Sequence, residues 1–153
     1  MNMTQLAEIK KVFSTDELRL LVEVGFVSIS KGEPGAAAEV FEAVRLLRPK
    51  QDAGYIGGAL AALMAEDPNA AVQLFGGAPD TPAARTFRGL ALLRSGDVRQ
   101  GRGCLRSVVD NAPSSAFAQL SEELLSEDAR SGGVVGSSFE SYRDYPVELG
   151  GGL

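Results

Sequence analysis

The chain has 153 residues, of which 44% are hydrophobic and 23% charged, a length and balance that suit one domain with a buried core and exclude wholesale disorder. Its net charge of −5 opposes nucleic acid as the main partner. Histidine is absent and Cys104 is the single cysteine, so there is no Ser-His-Asp triad, no Cys-His pair, no imidazole or thiolate zinc site and no intramolecular disulfide; this cysteine usage suits a reducing compartment.

The N-terminal stretch "MNMTQLAEIKKVFSTDELRL" lacks the apolar run of a signal peptide, and no later run is long enough to cross a bilayer. Neither export nor membrane insertion is expected, and the expected compartment is the cytoplasm. Residues 3–13 carry Leu6, Ile9 and Phe13 at helical spacing, which predicts a helix packed on the first of the repeat units described below. In "DELRLLVEVGFVSISKG" a helix of about four turns is expected, with Asp16 as its N-cap and Gly32 in the left-handed position that closes it. In "EPGAAAEVFEAVRLLRP" the residues Ala37, Phe41, Val44 and Leu47 or Arg48 form one apolar stripe, and Pro49 ends it.

The same message then recurs. Pro34 to Phe41 aligns with Pro68 to Phe75, 34 residues later, and Gly25, Gly32, Ala37, Phe41 and Pro49 align with Gly89, Gly96, Gly101, Leu105 and Pro113, each 64 residues later. The second copy is shortened near "GGAPDTP". Three units, 18–51, 52–81 and 82–115, each of two helices, have the period of a helical solenoid. Ala37, Ala71 and Gly101 mark where a neighbouring helix comes close, and Phe41, Phe75 and Leu105 fill the space one turn later. An ordinary helical bundle with a coincidental repeat is the alternative. Residues 114–129, opened by Ser114 or Ser115 as cap and carrying Phe117, Leu120, Leu124 and Leu125, are expected to close the array. The expected organisation is one all-α domain over 1–129, followed by a flexible Gly/Ser-rich tail over 130–153.

Residues that could carry chemistry are few. The clusters "GYIGG", "GGAPD" and "GRG" lack phosphate-loop spacing and are expected to serve helix packing and turns. Glu122, Glu123, Glu127 and Asp128 are expected to form a solvated face, and Cys104 to act as a small apolar residue. No catalytic residue, metal site or cofactor is expected, and the chain is not expected to be an enzyme. Residues 82–113 hold six arginines against two aspartates, a local charge of +4, so the remainder carries −9. Arg99, Arg102 and Arg106 recur at i, i+3 and i+7, a face suited to an acidic partner or to the acidic C-terminal part of the chain itself. No aromatic platforms accompany them, which again argues against nucleic acid.

Gly25, Ala37, Phe41 and Pro49 in the first unit, Tyr55, Ala59, Ala71 and Phe75 in the second, and Gly89, Gly101 and Pro113 in the third carry a resemblance to the tetratricopeptide repeat (TPR) family. The second unit lacks the final proline, and Leu105 replaces the aromatic in the third. The resemblance implies a solenoid whose first helices line a concave groove. Its lining here would be Arg19, Val22, Phe26, Ile29 and Ser30, then Ala53, Ile56, Leu60, Leu63 and Met64, then Ala83, Thr86, Leu90, Leu93 and Arg94. TPR proteins that grip the acidic C-terminus of heat-shock chaperones place Lys, Asn and Arg at such positions; Val22 and Phe26 stand here instead. An apolar groove implies a protein client offering an apolar or amphipathic segment, unless the chain's own helices or tail, or a second copy in a homodimer, fill it. Among TPR proteins this chain resembles the small chaperones of bacterial type III secretion systems, with "VRLLRPK" among the similar stretches. That implies a role in holding an aggregation-prone secretion subunit. The alternative is a general TPR adaptor or scaffold without an export client.

Overall fold

The computed structural model describes residues 2–132, and among them every regular element is helical. α1 (Met3–Val12) and α2 (Thr15–Ser30) each begin with a capping box. At α2, Glu17 N–H donates to Ser14 Oγ at 3.3 Å while Ser14 N–H donates to the Glu17 carboxylate at 2.7 Å. The cap is therefore Ser14 and not the expected Asp16. The Ser14/Glu17 pair satisfies two orphan donors where Asp16 would satisfy one, and Asp16 sits in the first turn, where the helix dipole favours its charge. Gly32 closes the helix in the left-handed conformation, φ 74°, as the sequence implies.

The remaining helices, in chain order, are α3 (Pro34–Leu47), α4 (Ala53–Met64), α5 (Pro68–Leu74, extended by a 3-10 turn at Phe75–Gly77), α6 (Pro82–Ser95), α7 (Val98–Asn111) and α8 (Ala116–Ser131). Prolines open α3, α5 and α6, where a missing N–H costs nothing. Each helix from α2 onward packs on the next, and α2 meets α4, α4 meets α6 and α6 meets α8. The result is helix pairs α2/α3, α4/α5 and α6/α7 laid side by side, closed by α8. α1 meets α3, none of its residues is buried, and Leu6, Ile9 and Phe13 are half-buried.

The small-then-large pairing carries the packing. Ala37 and Ala71 are fully buried, as are Phe41 and Leu105 one turn beyond Ala37 and Gly101. The Phe41 ring lies between α2 and α4 in space that two glycines leave open: a Cβ on Gly25 would stand 2.6 Å from the ring, and one on Gly57 would overlap it. In the third pair a Cβ on Gly101 would sit 3.0 Å from the Gly89 carbonyl oxygen, so these two backbones nearly touch. With α2, α3, α5 and α6 around it, α4 is buried along most of its length. α8 runs to Ser131 and is closed by Gly132 at φ 66°, so Arg130 and Ser131 belong to the helix and not to a tail. The rest of the expected tail, 133–153, lies outside the described residues. Among the described residues no helix is long and apolar enough to cross a membrane.

Candidate functional site

The expected groove residues are brought together, but as core. Val22, Ile29, Ile56, Leu60, Leu63, Leu90 and Leu93 are all buried and belong to one hydrophobic cluster. Phe26 is half-buried, its ring edge-on to Phe41 with centroids 5.1 Å apart. These side chains pack with one another in the cluster rather than standing apart. In an array of three pairs the first helices use their apolar faces against one another, through the contacts α2–α4, α4–α6 and α6–α8.

The expected arginine face also divides. Arg99 and Arg106 are exposed, but Arg102 Nε donates to Asp128 Oδ2 at 2.6 Å, and the Asp128 side chain is 1% exposed. Asp128 was expected in a solvated acidic face. It continues the inward stripe Leu120, Leu124, Asp128 at four-residue spacing and is buried with it. Its Oδ1 has no hydrogen-bond partner. Nearby, the buried Thr86 and Ser121 hydroxyls hydrogen-bond at 3.1 Å and join α6 to α8. Arg102 therefore pins α7 to α8.

Two clefts among the described residues bear on what the chain could hold. One, of about 480 Å3, lies between α6, α7 and the segment around residues 78–80. Its rim holds Arg85, fastened to Asp80 by two hydrogen bonds of 2.5 and 2.7 Å, with Arg88, Gln100, Cys104 and Ser107. The Arg85 hydrogen bond holds the Asp80 carboxyl below its ordinary range. Burial pushes the half-buried Cys104 thiol up, and the charges of Arg88 and Arg85 oppose this only in part. The net effect disfavours the thiolate that a cysteine nucleophile uses.

The larger cleft, about 670 Å3, opens between α3 and α5 over α4. Gly58, Ala61 and Ala62 form its floor, Ala38 and Glu42 one wall, and Ala70, Gln73 and Leu74 the other. Small side chains along α4 keep the floor low, and α3 and α5 stand apart above it. At one end the Arg45 guanidinium lies 6.0 Å from the centre of the Tyr55 ring, and the Tyr55 hydroxyl donates to the Pro49 carbonyl at 2.9 Å. Arg45 Nε is buried without an acceptor. A floor of glycine and alanine lets another backbone approach closely, while Glu42, Arg45 and Gln73 offer polar contacts to whatever enters. Sequence reasoning missed this cleft, although its signal is present in the run "GGALAALMAEDPNAA". It assigned the glycines of "GYIGG" and Ala71 to contacts between helices and gave Ala61, Ala62, Ala65 and Ala70 no role.

Asp52 is buried at the start of α4, where its Oδ2 accepts from Thr81 Oγ1 at 2.6 Å and its Oδ1 has no partner. This bond ties α4 to the N-cap of α6. No cluster of His, Cys, Asp or Glu that could hold a metal occurs among the described residues. Compared with known proteins, the chain matches no family model, no curated protein and no solved structure.

Proposed function

We propose that this chain is a protein-binding helical-repeat protein of the TPR kind, and that it holds an apolar or amphipathic segment of a client protein in the cleft between α3, α4 and α5. The carrying observation is the cleft itself: about 670 Å3, open, and floored by Gly58, Ala61 and Ala62. Its volume is in the range of ligand-binding clefts, and each apolar client side chain buried there contributes about 1.5–3 kcal/mol. The 34-residue recurrence of Pro34–Phe41 at Pro68–Phe75, together with the side-by-side helix pairs, supports the TPR assignment. The client is an aggregation-prone subunit, of the kind that type III secretion chaperones hold before export, and binding takes place in the cytoplasm.

Coexpression tests this. A client encoded beside the chain, insoluble alone, becomes soluble with the wild type and returns to the insoluble fraction with Ala38→Trp plus Ala65→Trp. Both positions line the cleft and are exposed, so the helical spectrum and melt of the double variant stay near wild type. Full solubilisation by this variant places the client elsewhere. A partner that folds and stays soluble by itself makes the chain an adaptor and not a chaperone.

A further inference from the structure

α2 is apolar on two opposite faces, and among the described residues only one of them is packed into the core. Leu18, Val22, Gly25 and Ile29 turn into the core. On the other side Leu20, Val24 and Val27 are 60%, 46% and 50% exposed, although at spacings of four and three residues they form one continuous stripe. α1, the element that precedes them, does not cover them: it meets α3 and buries no residue of its own. The stripe has charged ends. Asp16 lies four residues before Leu20, Lys31 four residues after Val27, and both are exposed on the same face.

We infer that the α2 stripe is a self-association surface, and that its occupant is the α2 of a second copy of this chain running antiparallel to it. Paired antiparallel, the series matches its own reverse at Asp16 with Lys31 and at Leu20 with Val27, while the two Val24 side chains flank the axis beside the exposed Glu23. With the two-fold axis beside Val24, Leu20 of one copy faces Val27 of the other and Asp16 faces Lys31, so each contact forms twice. A parallel pair would instead set Asp16 against Asp16 and Lys31 against Lys31. Arg19 comes within 3.9 Å of Asp16, but the two side chains are 55% and 93% exposed, a pairing too weak to withhold Asp16 from a partner. From Asp16 to Lys31 the stripe runs roughly 22 Å at 1.5 Å per residue. One such helix pair covers less than the roughly 800 Å2 per partner of a standard interface, so the dimer is concentration-dependent and not permanent.

Sedimentation of the full chain over a wide concentration range, at low salt, reads this directly. The wild type shifts from monomer to dimer as concentration rises, and Val24→Glu stays monomeric with an unchanged helical spectrum. Asp16→Lys alone and Lys31→Asp alone each weaken self-association several-fold by setting like charges face to face. Mixing the two variants restores dimers, because a mixed antiparallel pair puts Lys against Asp at both ends, and the double variant restores them within one chain. A chain that is monomeric throughout, whether residues after 132 or another protein take the stripe, overturns the inference. So does a dimer that survives Val24→Glu, or single charge variants that mixing fails to rescue.

Discussion

The two ends of the helical array are finished differently. At the C-terminal end α8 buries Leu120 and Leu124, joins α6 through Thr86 and Ser121, takes Arg102 onto Asp128, and sets Phe117 edge-on to Phe87 with centroids 6.5 Å apart. Its outward residues Gln119, Glu122, Ser126 and Arg130 are polar. At the N-terminal end α1 buries nothing, its C-terminal side is held by a 3.3 Å hydrogen bond from the Arg48 guanidinium to the Phe13 carbonyl, and α2 turns Leu20, Val24 and Val27 outward. An array of stacked helix pairs needs a polar outer surface at each end to keep its apolar faces from water. Only the C-terminal end supplies it within the described residues, so fold stability is concentrated there and association at the other end.

The strongest test of that contrast compares one truncation at each end. Leu124→Ala removes a side chain that is 1% exposed and is expected to cost about 2–5 kcal/mol, as large-to-small changes in packed cores do. Ile9→Ala, at a half-buried position of α1, is expected to cost less than about 1 kcal/mol, since little apolar area is lost. Urea midpoints measure both, and equal losses would remove the contrast. Arg102→Ala comes next, at about 2–3 kcal/mol. That is below the cost of breaking a fully buried pair because Arg102 is 38% exposed, yet substantial because Asp128 is left buried and unpaired. Asp128→Leu, which removes the buried charge as well, is expected to recover part of this loss.

The repeat was legible in the sequence because it is written in residues with few structural alternatives. Small residues at 37, 71 and 101, each followed one turn later by a large apolar one, have one physical use in a helix pair, and the structure puts them to it. Charge and exposure were less legible. Asp128 looks solvated beside Glu122, Glu123 and Glu127, but its spacing from Leu120 and Leu124 turns it inward, and Arg102, 26 residues earlier, makes burial tolerable. The groove positions were carried over from the TPR resemblance, and the apolar ones are buried in one cluster apart from the half-buried Phe26 and Met64. In α2 the sequence "LRLLVEVGFVSI" holds more apolar residues than one helix face can bury, and that surplus is the signal of the outward stripe.

A variant in the middle of the array separates end effects from general ones. Burial pushes the Asp52 carboxyl above its ordinary value of 3.8, with the Thr81 hydrogen bond opposing. The native state therefore holds this proton to higher pH than the unfolded chain. Between the two values it binds more protons than the unfolded chain, and stability falls as pH rises through that window. The cost of the buried charge persists above the window and disappears below it. Asp52→Asn removes the titration, so the wild type is expected to gain on the variant as pH falls from neutral towards 3.8. Urea midpoints across that range check the slope, and a constant difference between the two proteins would refute it. The variant touches neither α1 nor α8 and should leave self-association unchanged.

The smallest expected effect on stability falls on the outward apolar stripe of α2. Val24→Glu replaces a side chain that is 46% exposed on the face of α2 opposite Val22 and Ile29. It opens no cavity and strands no polar group, so the monomer's stability should change by no more than about 0.5 kcal/mol, the usual range for surface substitutions. Glutamate is also the better helix former, which offsets the small apolar contact that is lost. The measurement is a denaturant titration at a concentration where the wild type is monomeric, paired with a second where it is dimeric. At the low concentration the two proteins should coincide; at the high one the wild type alone should gain, because association with a second copy stabilises the folded state by mass action. A loss of about 2 kcal/mol or more at low concentration, the size expected for a packed core residue, would mean that Val24 supports the fold within a single chain, and the N-terminal end would then be closed as the C-terminal end is.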